Sequence, residues 1–362
     1  MNPQEAAAAW RADQQRFAEL GAVLPDVSMY VPPEWKRNYQ MALDAQLSLT
    51  TTANSGVPTM LTTMIDPAVF KILFAPNKAA IIFGEVKKGS WLDETAMFPT
   101  VEHVGEVSSY GDYSESGHTG VNTNWPQRQS YLFQTIKEYG ERELERAGLA
   151  RINWVSEIDA AAALALNKFS NLSYFFGIAG LQNYGLLNDP SLTAALTPGT
   201  KAAGGTKWVS GGVIVATANE IYLDIESVFI QLVKQTAGLV DREAAMTLAL
   251  SPQSEAALTA TNSFNVNVSD LLKKNFPNIK VESAVQYGAL SATNPQGVAA
   301  GEFVQLIAHS LEGQDTGYCS FNEKMRGHPI IRALSSFKQK VSAGTWGSII
   351  RMPVAITAMV GI

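Results

Sequence analysis

The chain holds one cysteine, four histidines and little charge, and each shortage closes off a class of function. With Cys319 alone there is no intrachain disulfide framework and no cysteine-rich zinc site. His103, His118, His309 and His328 include no pair at helical spacing, so a His-Glu-x-x-His zinc helix is excluded. His103 and His118 flank a polar loop and read as surface residues, while His309 and His328 read as hydrogen-bonded structural residues. No run of about 18 apolar residues occurs, so a membrane span is not expected. Nor is a secretory leader, because Met1 to Leu20 mixes an alanine run with Arg11, Asp13, Arg16 and Glu19. A cytosolic setting follows. Charged residues are 17% of the chain, against roughly 25% in ordinary soluble proteins. That shortfall fits a large core, or a surface that ends up against other subunits. The net charge of -6 offers no basic footprint for tight DNA binding. Nucleic acid nearby would be confined by such a protein rather than gripped by it.

The motifs of catalysis are missing too. There is no Gly-x-Ser-x-Gly elbow and no Gly-x-Gly-x-x-Gly fingerprint. Gly199 to Lys207 has the glycines of a phosphate loop, but Gly205 stands where its lysine belongs. The whole stretch from Pro198 to Gly212 reads as a flexible linker. Cys319, between Tyr318 and Ser320, reads as a buried structural thiol. Asn171-Leu172-Ser173 is a formal glycosylation sequon inside a predicted helix and is discounted. No catalytic, cofactor-binding or metal-ligating residue is assigned, and the chain is not expected to be an enzyme.

What is present is an unusual order of parts. Residues 1–59 hold a short amphipathic segment, Ala6 to Leu20 with Trp10, Phe17 and Leu20, then Pro25, Pro32 and Pro33, then a polar tract to Gly56. Trp10, Phe17, Met29, Tyr30, Trp35 and Tyr39 are costly to leave in water, which suggests an arm that docks on something. Compact structure is expected from Ile65, with Asp66 and Pro67 as N-cap and first-turn proline. Lys87 to Glu138 reads as a long β-hairpin, with strands over Trp91 to Val101 and Arg128 to Lys137 and a polar tip over Gly105 to Gly117. A loop of that length is uncommon unless functional. Glu141 to Phe176 predicts one long helix weakened at Gly148, with Trp154, Ile158, Ala161, Ala162, Ala165, Phe169, Leu172 and Phe176 at helical spacing. It ends at Gly177 and Gly180, before a turn over Gly185 to Pro190.

The rest predicts an α/β unit. Thr217 and Glu220 form a capping box for a helix with Ile221, Ile225, Val228, Phe229 and Leu232 on one side. Met246 to Leu250 predicts a buried strand, Ser251-Pro252 the cap of another helix, and Ser269 the start of a short helix ending before Pro277. Lys280 to Glu282 and Phe303 to Ala308 predict strands, and Ser348 to Ile356 a closing strand placed at an edge or bulge by Pro353.

Arm, long hairpin, long helix, Gly-Leu-Leu-Asn turn, α/β unit and terminal strand, in this order, resemble the major capsid proteins of tailed bacteriophages. The resemblance spans nearly the whole chain, through architecture more than through short motifs. It implies an α+β, Hong Kong 97-like fold, with residues 1–59 as the N-terminal arm and 87–138 as the extended loop. Residues 60–86, 139–212 and 335–362 would form the peripheral domain with its spine helix, and 213–334 the axial domain. It implies a structural subunit that forms hexamers and pentamers of an icosahedral shell around double-stranded DNA, assembled in the host cytoplasm. Portal, scaffolding and decoration proteins would be its partners, with no cofactor and no membrane. Contacts between subunits would then fall on Trp10, Phe17, Tyr30, Trp35 and Tyr39 of the arm, and on Trp91, Asp93, Glu94, Glu106, Tyr110, Asp112, Tyr113, Glu115 and Trp125 of the loop. Arg142, Arg146 and Arg151 of the spine would meet the loop carboxylates. The alternatives are an encapsulin-type nanocompartment shell, which shares the fold, and a soluble α/β enzyme.

Overall fold

A computed structural model describes residues 77–150 and 152–362. The expected arm, the helix over Ala6 to Leu20 and the Asp66-Pro67 cap lie outside the described residues.

Two sheets organise the described chain. The first is built on β16 (Ser336–Ile350), the longest strand, in the order β1 (Glu85–Lys87), β14 (Gly317–Gly327), β16, β15 (Ile331–Ala333). Strand β6 (Tyr131–Gly140) pairs with β16 along its other edge, antiparallel from Ser336↔Gly140 to Thr345↔Tyr131. The second sheet runs β10 (Ile279–Ser283), β9 (Met246–Leu250), β11 (Phe303–Ala308), β17 (Ile356–Val360), parallel between β10 and β9 and antiparallel elsewhere.

Around Pro353 the expectation changes. The closing segment is not one strand. Pro353 opens a 3-10 turn over Pro353–Ala355 that moves the chain from the end of β16 in the first sheet to β17 in the second. A residue that cannot donate to a ladder is tolerated where the ladder has stopped. Arg351 and Met352 both donate their N–H to Thr316 O, at 2.8 and 3.1 Å, so this crossing is tied to the one that leads from β11 into β14.

The predicted spine helix is two helices, α2 (Glu141–Leu149) and α3 (Trp154–Phe176). The break lies just beyond Gly148, because Asn153 caps the second helix by accepting from Ser156 N. The buried stripe of α3 is also rotated from the expected one. Ala162, Leu166, Tyr174 and Phe175 face inward, while Ala161 and Ala165 are exposed. The sheet beneath it demands polar partners that hydrophobic periodicity does not weigh. Asp159 takes Lys137 at 2.6 Å and Ser173 Oγ donates to Thr345 Oγ1 at 2.9 Å, flanking apolar contacts of Leu166 with Val341 and Ala343. The helix stops at Gly177, whose φ of +63° suits glycine.

The α/β unit follows its sequence closely. Helix α4 (Ala218–Gln235) starts at the Thr217/Glu220 capping box and buries Ile221, Ile225, Val228, Phe229 and Leu232. Every residue of β9 is buried. Ser251 caps α5 (Pro252–Ala257), and Asn267, two residues before Ser269, caps α6 (Val268–Asn275). The 198–212 stretch is not a free linker. Lys201 and Asp224 form a buried ion pair, and Trp208, 1% exposed, donates its indole N–H to the same carboxylate at 2.7 Å. A short hairpin of β7 (Val209–Ser210) and β8 (Val213–Ile214) follows.

Candidate assembly surfaces

The segment after β1 holds two strand pairs, the outer of which is exposed nearly throughout. Thr95–Met97 (β2) pairs with Gln127–Gln129 (β5), and Thr100–Gly105 (β3) with Thr119–Asn124 (β4). The hairpin expected from Lys87 to Glu138 is thus free-standing only over about 95–129, because the expected return strand joins the first sheet as β6. The strand expected from Trp91 starts at Thr95, residues 91–94 being turn. Past Phe98 the blade is uncovered: every residue of β4 is exposed, and all but the first of β3.

Its root, by contrast, is fastened. Arg128 pairs with Asp189 at 2.9 Å, where the carboxylate is fully buried, and its guanidinium lies 4.8 Å from the Tyr184 ring. Gln129 exchanges backbone and side-chain hydrogen bonds with Gln182 and Asn183. Ala96 and Phe98 pack on Trp346, which is fully buried and donates its indole N–H to Lys88 O. The turn receiving Arg128 is held in turn. Leu186 and Leu187 N–H donate to Tyr174 and Phe175 O, and a Cβ on Gly185 would sit 2.2 Å from Phe175 O. Sequence reasoning recognised the Gly185–Pro190 turn and missed the clamp, since nothing in the spacing of Arg128 and Asp189 announces a pair 61 residues apart.

The hairpin is also where the charge resides. Between Gly89 and Gln127 stand Asp93, Glu94, Glu102, Glu106, Asp112 and Glu115, and no lysine or arginine. Removing these six from 33 acidic residues leaves 27, equal to the 27 lysines and arginines. Residues 90–126 thus carry an acidic excess equal to the net charge of the chain, and Glu102, Glu106, Asp112 and Glu115 of it stand on the free-standing part.

The expected contact residues fall into groups. Tyr110, Tyr113 and Trp125 are exposed, Tyr113 completely. Glu106 and Glu115 are exposed at the tip, and Asp112 accepts only from the neighbouring Tyr110 hydroxyl at 2.8 Å. Asp93 closes its own turn by accepting from Ser90 N, and Glu94 O accepts from Ser130 N. Trp91 is half-buried within its own chain, edge-on to His328 and beneath Arg326 at 5.3 Å. Arg142 and Arg146 are exposed on α2 and make no ion pair among the described residues. The loop carboxylates and spine arginines are not brought together within one chain. Trp10, Phe17, Tyr30, Trp35, Tyr39 and Arg151 lie outside the described residues.

Cys319, His309, His328 and Asn171 each have a hydrogen-bond partner within the chain. Cys319 is buried, and burial pushes its thiol up to about 12. Burial also raises the Tyr174 hydroxyl, helped by Glu85, and raises that of Tyr287. His309 contacts Thr247 Oγ1 and His328 contacts Ser342 Oγ, both at 2.7 Å. Asn171 is buried and accepts from Ala79 N in α1 (Ala79–Phe83). No group of three or more metal-ligating side chains occurs among the described residues, and no helix there is long and apolar enough to cross a membrane.

A fold with a two-part spine helix across a long sheet, a clamped projecting hairpin and an α/β unit whose sheet shares a buried core with the spine helix and the first sheet is the fold of tailed-phage capsid proteins. The capsid of Myoviridae phage XM1 superposes with a TM-score of 0.67 at 14% identity, covering 85% of this chain and 100% of that one. The capsid of a native GTA particle gives 0.57 at 10% identity over 86% and 99%, and Mycobacterium phage Ogopogo 0.54 at 10% over 84% and 99%. No curated protein sequence matches. The family model described as Pa193 gp26 major capsid protein matches residues 48–361, and the chain belongs to that family. It is a major capsid protein, a structural shell subunit of a virion.

Proposed function

We propose that the chain forms hexameric and pentameric rings of an icosahedral shell that encloses double-stranded DNA, without catalysis and without a cofactor. The observation that carries this is the hairpin: fastened at its root, uncovered along β4 and nearly all of β3, and acidic there. Past Phe98 such a projection contributes nothing to a monomer core. Laid across a neighbouring copy, it would bury apolar area worth about 25 cal/mol per Å². Its exposed Tyr110, Tyr113 and Trp125 supply that area. Its carboxylates would steer register, meeting the spine arginines Arg142, Arg146 and Arg151 of the neighbour. An acidic blade is repelled by nucleic acid, so its partner is protein.

On this reading the arm, residues 1–59, links subunits through Trp10, Phe17, Tyr30, Trp35 and Tyr39. The sheet of β1, β6, β14, β15 and β16 with α2 and α3 is peripheral. Residues from 213 around the second sheet are axial; the strand pairing suggests adding β17 to this unit and assigning β14 and β15 to the peripheral one. Portal, scaffolding and decoration proteins complete the particle, which assembles in the host cytoplasm.

Deleting 104–120 tests the reading. The expected result is a folded subunit, unchanged in melting temperature, that forms no shells by electron microscopy. Normal particles from this deletion would reduce the hairpin to a passive tip. Shells that carry a protein cargo and no DNA would point instead to a nanocompartment.

A further inference from the structure

One end of the second sheet forms a polar corner that shell contacts do not use. Strands β9 and β10 run parallel, so Ser251, just after β9, and Gln286, a few residues after β10, leave the sheet at the same end. Strand β11 runs antiparallel to β9, so Glu302, just before it, arrives at that end too. The crevice outside the carboxyl ends of parallel strands is where α/β sheets collect ligands.

Oxygen atoms gather in this corner without matching donors. Glu302 Oε2 accepts from Ser251 Oγ at 3.0 Å and also from Ser254 Oγ. Its charge forms no ion pair among the described residues. The loop that follows β10 adds two carboxamides. A Cβ on Gly288 would lie 2.8 Å from Asn294 Nδ2 and 3.8 Å from Ser251 Cβ, so glycine is what lets Asn294 reach this place. Asn294 Nδ2 donates to the carbonyl oxygens of Val285 and Ala289, at 2.9 and 3.4 Å. Carbonyls can only accept, which fixes the orientation of this amide. Its Oδ1 is thereby left buried without a donor. Gln286, 2% exposed, repeats the arrangement: Nε2 donates to Gln296 Oε1 at 2.9 Å, and its own Oε1 is buried without a donor. Buried acceptors of this kind are rare, because desolvation goes uncompensated.

We propose that Glu302, Asn294, Gln286 and Ser251 form a calcium site that ties the 284–302 loop to the end of the second sheet. The donor chemistry selects the ion. A carboxylate, two carboxamide oxygens and a hydroxyl are hard oxygen donors, and no imidazole or thiolate stands among them, which suits calcium and not zinc. Magnesium demands near-ideal octahedral geometry and keeps its waters, whereas calcium accepts donors from an irregular loop. Only one of the four is a carboxylate, so the set differs from the carboxylate, histidine and cysteine groups that the described residues lack. That low charge places it among weak sites, with Kd of about 10⁻⁴–10⁻³ M.

The test uses the full chain as unassembled subunits, so it does not depend on the ring-built shell. After treatment with a chelator, melting temperature is followed as CaCl2 is titrated through the millimolar range, with MgCl2 and NaCl at matched ionic strength beside it. The expected result is a saturating rise with calcium that the other salts do not reproduce, since an ion bound only by the native state stabilises it by mass action. Glu302→Gln keeps an oxygen for the two serines and should lose the calcium shift. Gln286→Glu adds a second carboxylate, with Gln296 turning its amide to donate, and should move the calcium midpoint to lower concentration. A melting temperature indifferent to calcium, or raised equally by MgCl2 or NaCl, overturns the site and leaves ordered water to satisfy the two amides. A calcium shift of wild-type size in Glu302→Gln overturns it as well, and so does a midpoint in Gln286→Glu that stays in place.

Discussion

The second sheet and the hairpin use β-structure for opposite ends. In β9 and β11 every residue is buried, with α4 packed through Ile221, Ile225, Val228 and Leu232, and the unit is finished within one chain. In β3 and β4 the ladder is equally regular, yet both faces meet solvent. A two-stranded ribbon is marginal alone in water, so this one owes its position to the Arg128–Asp189 clamp and the packing of Phe98 at its root. One region spends its apolar residues on the monomer core and the other leaves Tyr110, Tyr113 and Trp125 exposed.

Substitutions can break that contrast, and the largest effect is expected at the buried pair of the α/β unit. Asp224→Ala strands Lys201, whose side chain is 2% exposed, and leaves the Trp208 N–H without its acceptor. Losing one partner of a buried pair costs about 3–5 kcal/mol, so chemical denaturation should show a midpoint lowered accordingly. An unchanged midpoint would mean the 198–212 segment is as loose as its glycines suggest.

Next comes a matched pair of truncations. Leu248→Ala, at a fully buried position of β9, should cost about 2–5 kcal/mol through lost burial and the cavity left behind. Tyr113→Ala removes more atoms from a fully exposed position and should stay within about 0.5 kcal/mol in the unassembled subunit. A comparable loss from Tyr113→Ala would show that the blade stabilises its own chain.

The same contrast decides what the sequence could reveal. The α4 capping box, its buried stripe and the all-apolar β9 were legible because local pattern and tertiary burial agree there. The rotated face of α3 was hidden because Asp159 and Ser173 face the sheet to meet Lys137 and Thr345, partners distant in sequence. The return strand read as half of a hairpin because alternation shows that a strand exists, not which strand it joins, and β6 joins β16, a strand far along the chain, from Ser336↔Gly140 to Thr345↔Tyr131. Of the proposed assembly surface, the aromatics and carboxylates of the blade could be read directly as residues, and they are exposed. The clamp that aims the blade could not.

The smallest effect expected is a dependence on pH that belongs to the finished unit and not to the blade. Burial holds His309 below its ordinary value of 6.5, Lys280 adds to this, and Asp315 opposes it. The folded state therefore favours the neutral ring, which sits against Thr247 Oγ1. Above 6.5 both folded and unfolded chains carry a neutral histidine and stability is at its full value. As pH falls below 6.5 the unfolded chain takes up the proton first, so stability declines until the folded ring is protonated as well. Glu282 lies lower on the same axis. Burial would raise its carboxyl, but Lys78 and Lys280 outweigh that and hold it below 4.5, so its contribution persists above 4.5 and disappears as pH falls further. Melting temperatures of the unassembled subunit from pH 8 to pH 5 should therefore fall gently, and His309→Gln should flatten that fall while leaving the region below 4.5 unchanged. A slope that survives His309→Gln would remove this ring from the account and place the proton uptake elsewhere in the chain.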